Sequence, residues 1–149
     1  TVTLQTATYA ALPSRLEAGT PNISGAVGLA AAVRFLESQG RGQIGRREAD
    51  LMRYLEESLR RQPWIRVIGE GAPKVGAVSF VVDGVHAHDV GTVLDQFGIA
   101  VRVGHHCAMP VMQRFGVPAT VRASLSLHNS VADIDALLAA LQATRERLS

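Results

Sequence analysis

Thr120-Val121-Arg122-Ala123-Ser124-Leu125-Ser126-Leu127 alternates apolar and polar residues without a break. Successive side chains of an extended chain point to opposite faces, so Val121, Ala123, Leu125 and Leu127 share one face and Thr120, Arg122, Ser124 and Ser126 the other. The stretch reads as a strand with one buried face, and Arg122 points away from the core. Val78, Phe80 and Val82 repeat the alternation inside a second strand, 75–82, which stops at the Asp83-Gly84 turn. A short strand over 65–68 precedes it, and Ile99 to Val103 reads as a fourth.

Helical periodicity fills the intervals. A helix over 24–39 follows the turn-forming Glu17-Ala18-Gly19-Thr20-Pro21-Asn22 and ends at Gly40. The next, over 44–61, sets Leu51, Leu55 and Leu59 on one face, with Pro63 just beyond its end. A third over 87–97 carries Val90, Val93, Leu94 and Phe97 inward and stops at Gly98. Ser130, with Asp133 three residues on, starts a last amphipathic helix through Ile134, Leu137, Leu138, Leu141 and Leu148. The order helix, helix, strand, strand, helix, strand, strand, helix implies an α+β layer, a mixed or antiparallel sheet with helices packed on one face. The first twenty or so residues carry no core pattern and read as a piece of something larger.

The 149 residues, 47% apolar and 19% charged, have globular composition and suffice for one ordinary domain. The net charge of +2 is spread along the chain, without the basic footprint of a nucleic-acid partner. No apolar run approaches bilayer length, and the opening Thr1-Val2-Thr3-Leu4-Gln5-Thr6 lacks signal-peptide order, so a cytoplasmic setting without membrane contact is expected.

Arg102-Val103-Gly104-His105-His106-Cys107-Ala108-Met109-Pro110 holds the only cysteine. A thiolate is the nucleophilic form of the side chain, and cationic neighbours favour it. Gly104 supplies backbone freedom, Pro110 stops regular structure and polar residues precede the thiol, so an exposed loop is expected here, with Cys107 as a nucleophile. The competing possibility is a small apolar core residue.

Arg102-x-Gly104-His105-His106-Cys107-Ala108, then Val121-Arg122-Ala123-Ser124-Leu125 fourteen residues after the thiol, and Glu17-Ala18-Gly19-Thr20-Pro21-Asn22 near the start, resemble group II (SUF-type) cysteine desulfurases and selenocysteine lyases. Gly28-Leu29, His86-Ala87-His88-Asp89-Val90-Gly91, Leu94-Asp95 and Phe97-Gly98-Ile99-Ala100-Val101-Arg102 extend the resemblance over nearly the whole chain. It implies the C-terminal small domain of a fold-type I pyridoxal-phosphate enzyme, with residues 1–23 as the tail end of the large cofactor-binding domain and 24–149 as the small domain with its connecting helix. The activity it implies is conversion of L-cysteine to L-alanine through a persulfide on Cys107, supplying a SUF-type acceptor protein for iron-sulfur cluster assembly.

The same resemblance distributes roles. Arg122 matches the arginine that grips the substrate carboxylate, and Arg102 either tunes the thiol and orders its loop or forms a salt bridge. Of His105 and His106, one lies near the chemistry and the other supports the loop. Gly19 and Thr20 match a segment that reaches the cofactor phosphate of the other subunit in a homodimer. His88 is either a contact for the sulfur acceptor or a helix cap. The family holds pyridoxal 5'-phosphate as a Schiff base to a lysine directly after a histidine. No such pair occurs here, and Lys74, the one lysine, sits in a different context, so this chain alone is expected to be inactive. Four histidines and a thiol raise a zinc reading, but their spacing is no recognised zinc framework, and no metal is expected. Rival functions are a selenocysteine lyase and a non-catalytic sulfur-carrier or docking module.

Overall fold

The structure, a computed structural model, describes residues 1–71 and 74–148. It divides into two compact units, Thr1–Arg41 and Gly42–Ser149. The first unit holds a short 3-10 turn, Ser14–Leu16, and helix α1, Ile23–Ser38. Asn22 caps α1 by accepting the Gly25 amide at 2.8 Å, and Gly40, at φ +79°, takes the left-handed conformation that ends it.

The second unit is built on α2 (Arg41–Arg60), β1 (Ile65–Ile68), β2 (Ala77–Val82), α3 (Ala87–Gln96), β3 (Arg102–Gly104), α4 (Met109–Phe115), β4 (Thr120–Ser124) and α5 (Val131–Leu148). The four strands form one sheet in the order β1-β2-β4-β3, antiparallel at every pairing. Val67 lies opposite Phe80, and Phe80 opposite Val121, so the apolar sets of adjacent strands fall on one face. That face is covered by Leu51, Leu55 and Leu59 of α2, Val90 and Leu94 of α3, and Ile134, Leu137 and Leu141 of α5. Burial of these side chains is the main favourable term in folding the unit. Gly91 lets α3 approach β3 closely: a Cβ there would stand 2.7 Å from Val103 Cγ1, tighter than real side chains tolerate.

Three boundaries differ from the sequence pattern, two of them because a local hydrogen bond takes a backbone group away from the ladder. The strand expected over 99–103 is β3, 102–104, because α3 closes with a Schellman pair: Gly98 N–H bonds the Asp95 carbonyl at 2.9 Å and Ile99 N–H the Leu94 carbonyl at 3.0 Å. The strand expected over 120–127 stops at Ser124, since Asn129 Oδ1 takes the Ser126 amide at 2.9 Å and turns the chain. Between them, Pro110 does not end regular structure. It sits in the first turn of α4, where amide hydrogens have no helical partner, so its missing N–H costs little. Met112 anchors α4 inward, and Gly116 at φ +65° stops it.

At the start of α5, Asp133 Oδ2 accepts the Ser130 amide at 2.8 Å, the back half of a capping box, and this bond holds the Asp133 carboxyl below its usual range. Phe80, fully buried near the centre of β2, belongs to the core cluster between the sheet and its covering helices. Phe80→Ala is expected to lower unfolding stability by about 3–5 kcal/mol, read as a shifted denaturant midpoint at unchanged slope.

Candidate functional site

The sheet face opposite the core carries the polar half of each alternating strand. On it Ser79 of β2 lies opposite Arg122 of β4, and Arg122 lies opposite Arg102 of β3. Like charges directly across a ladder repel and destabilise the pair. Among the described residues neither arginine forms a salt bridge, and the half-buried Arg122 keeps its Nε buried without a hydrogen-bond partner. A buried donor left unsatisfied costs about 1–3 kcal/mol. A planar carboxylate suits a guanidinium fork better than a point charge would.

One register position further along, Gly104 pairs with Thr120 and ends β3. Gly104 adopts φ +122°, which only glycine takes readily, and the chain then turns sharply. His105 C=O accepts the Ala108 amide at 2.8 Å, closing a turn whose central residues are His106 at φ +55° and Cys107 at φ +58°. Positive φ at both central positions is the signature of a mirror-image type I turn, normally occupied by Asn, Asp or Gly. Two L-residues held there cost on the order of 1–3 kcal/mol each. His105 Nδ1 offsets part of this by accepting the Cys107 amide at 3.1 Å, and His106 Nε2 lies 2.9 Å from Thr120 Oγ1. The Cys107 thiol is left exposed, so the apolar-core alternative does not hold.

Both histidines make a hydrogen-bond contact that braces the turn. His105 is exposed and braces it from within, whereas His106 is half-buried and reaches back to β4. Burial first and the neighbouring Arg122 second hold the His106 ring below the ordinary value of 6.5, with Arg102 and His105 acting the same way and a bond to the Thr120 backbone opposing them. His106 is thus kept neutral beside two guanidinium groups. Its Nδ1 is buried without a hydrogen-bond partner.

The remaining sequence candidates lie elsewhere. His86, not His88, caps α3, accepting the His88 amide on Nδ1 at 3.3 Å, and the exposed His88 stacks on it with ring centroids 5.4 Å apart. Gly19, at φ +75°, and Thr20 are exposed ahead of α1 in the first unit. Lys74 is closed off: its Nζ sits 2.6 Å from Glu56 Oε1 and 2.8 Å from the Gly69 carbonyl, with little of either charged side chain exposed. Among the described residues no three His, Cys, Asp or Glu side chains gather to hold a metal, and no helix is long and apolar enough to cross a membrane. Sequence reasoning passed over Ser79, Thr120 and Gly91. Only Thr120 left a trace, as a polar residue opening a strand opposite a glycine.

The depressed His106 titration has a sign that can be checked. Unfolding restores the ordinary value, so the unfolded chain takes up the proton first; the stability due to neutral His106 is complete above about pH 6.5 and is lost as pH falls towards the lower folded value. Histidine NMR titration is expected to place the His106 midpoint below 6.5, and denaturation of His106→Asn, which tolerates positive φ, to show a shallower acid-side loss than wild type. A wild-type midpoint at or above 6.5 contradicts this account.

The chain is similar to known proteins along most of its length. The Aminotransferase class-V family matches residues 1–137. A probable cysteine desulfurase 2 of Mycobacterium leprae is 50% identical, over 93% of this chain and 34% of that protein. The apo structure of a cysteine desulfurase from Thermococcus onnurineus superposes with a TM-score of 0.86 at 41% identity, covering 99% of this chain and 37% of the other. The cysteine desulfurase CsdA of Escherichia coli, in an S-sulfonic acid form, gives a TM-score of 0.86 at 34% identity, covering 100% of this chain and 37% of that one. The chain thus spans about a third of the length of the curated relatives it matches. With a match running from the first residue to within α5, and an α+β fold shared with cysteine desulfurases, the chain belongs to the class V aminotransferase family.

Proposed function

We propose that this chain is the C-terminal part of a pyridoxal-phosphate-dependent cysteine desulfurase, with residues 1–23 from the end of its large domain and 24–149 forming its small domain with the connecting helix. The observation that carries the reading is the exposed Cys107 thiol, presented by a strained turn at the end of the strand whose arginine faces the unsatisfied Arg122.

In this reading Arg122 takes the α-carboxylate of L-cysteine in a two-pronged contact, and Arg102 adds the second positive charge across the ladder. The substrate is thereby oriented, with its sulfur directed towards Cys107. The Cys107 thiolate attacks that sulfur, forming an S–S bond as the carbon–sulfur bond breaks. The carbon fragment gains a proton and leaves as L-alanine, so one thiol and one cysteine give one persulfide and one alanine. His105 and His106 hold the turn, and His105, the more exposed, is placed to pass a proton to solvent.

Pyridoxal phosphate, when bound, supplies the electron sink that makes the carbon–sulfur bond labile. The residues of this chain fit the edge of such a site and not its anchor. Gly19 and Thr20 offer a backbone amide and a hydroxyl to a phosphate ahead of α1, in the partner subunit of a homodimer, whereas Lys74 is held by Glu56 and Gly69. The chain on its own is therefore inactive. The exposed His88 serves as a contact for a SUF-type sulfur acceptor feeding iron-sulfur cluster assembly in the cytoplasm.

The test uses the complete enzyme supplied with L-cysteine and pyridoxal phosphate. Wild type is expected to release alanine and to gain the mass of one sulfur on Cys107, and Cys107→Ala to lose both. Arg122→Lys, which keeps the charge but not the fork, is expected to raise KM for cysteine about 10-fold or more. Alanine release that survives Cys107→Ala sinks the proposal. Wild-type turnover of selenocysteine far above that of cysteine points to a lyase instead, and a persulfide without any alanine to a sulfur carrier.

A further inference from the structure

The turn that presents Cys107 has three hydrogen-bonded supports, and they are not equivalent. The bond from the Ala108 amide to the His105 carbonyl and that from the Cys107 amide to His105 Nδ1 both lie within the turn. Among the described residues, the contact between His106 Nε2 and Thr120 Oγ1, 2.9 Å long, is the side-chain hydrogen bond that ties the turn to the sheet. Thr120 lies on the face opposite the core yet is 0% exposed, and it pairs in register with Gly104, where the chain leaves β3. The loop thus departs from one strand and is fastened back onto the neighbouring one.

We infer that Thr120 is a positioning residue for Cys107, acting through His106; the inference rests on Cys107 being the sulfur acceptor of the proposed reaction. The His106 ring has one nitrogen on the Thr120 hydroxyl and the other buried without a partner. Remove the hydroxyl and both ring nitrogens lack a side-chain partner in a half-buried position, so the ring gains by moving out to water. His106 and Cys107 then lose the side-chain tie that holds them from outside the turn at φ +55° and +58°, a conformation neither residue favours, and the turn relaxes towards ordinary backbone. The thiol moves relative to Arg122, which stays fixed in β4. Substrate binding is spared and sulfur transfer is slowed. A hydroxyl both donates and accepts, so serine can replace threonine in this role, and valine, similar in shape, cannot.

The experiment compares Thr120→Val, Thr120→Ala and Thr120→Ser with wild type in the complete enzyme. Thr120→Val and Thr120→Ala are expected to lower kcat for alanine release about tenfold or more with KM for cysteine little changed, because a small displacement of the reacting group costs rate more than binding. Thr120→Ser is expected to restore kcat. The His106 midpoint is expected to rise in the valine variant and stay low in the serine one, and alkylation of Cys107 by iodoacetamide to change its pH profile only where the hydroxyl is missing. Wild-type kcat in Thr120→Val, or a serine variant as slow as valine, overturns the inference. Should wild type acquire no sulfur on Cys107, the proposed reaction falls, and the tie is then judged on His106 titration and alkylation alone: unchanged values in Thr120→Val overturn it too.

Discussion

The register between β3 and β4 is the constraint on which the site depends. It places Arg102 against Arg122, Val103 against Val121 and Gly104 against Thr120. A slip of one residue would send Val103 out to water and bring an arginine into the core, so the apolar half of the alternation locks the polar half in place. The lock is reinforced from behind, where Gly91 allows α3 to press on Val103. Hydrophobic packing on one face thus sets the spacing of guanidinium groups on the other.

Stability is spent where that spacing is used. Two like charges face each other, an Arg122 nitrogen and a His106 nitrogen are buried without partners, and two L-residues occupy left-handed backbone. Each departure is unfavourable alone, and they occur together on one short loop and its neighbouring strand. The rest of the unit is locally consistent, with caps at His86 and Asp133, a Schellman closure after α3 and a single apolar face on the sheet. Strain is thus concentrated at the loop that carries Cys107 and on the strand beside it. The same low-polarity surroundings that leave His106 neutral keep the positive field there in the hands of the two arginines.

Much of this was legible in the chain itself. Alternation at 78–82 and 120–124 reflects a period of two that survives any tertiary context, and the leucines of α2 and α5 mark their buried faces in the same way. The lone cysteine among His and Arg drew attention to the loop, and the exposed thiol agrees with that reading. What misled was punctuation. Pro110 reads as a breaker although it suits the first turn of a helix, and the apolar run after Gly98 reads as strand although helix closure had already claimed the Ile99 amide.

The amino-acid sequence by itself determined which elements exist, which face of each is apolar, and that one thiol stands beside two imidazoles, because these follow from residue chemistry and local periodicity. Strand order, the pairing of Arg102 with Arg122, the capture of His106 by Thr120 and the division of labour between the two histidines were decided only by the tertiary structure. Each of these joins residues distant in the chain or selects among backbone conformations of similar local energy, and only packing of the whole unit distinguishes them.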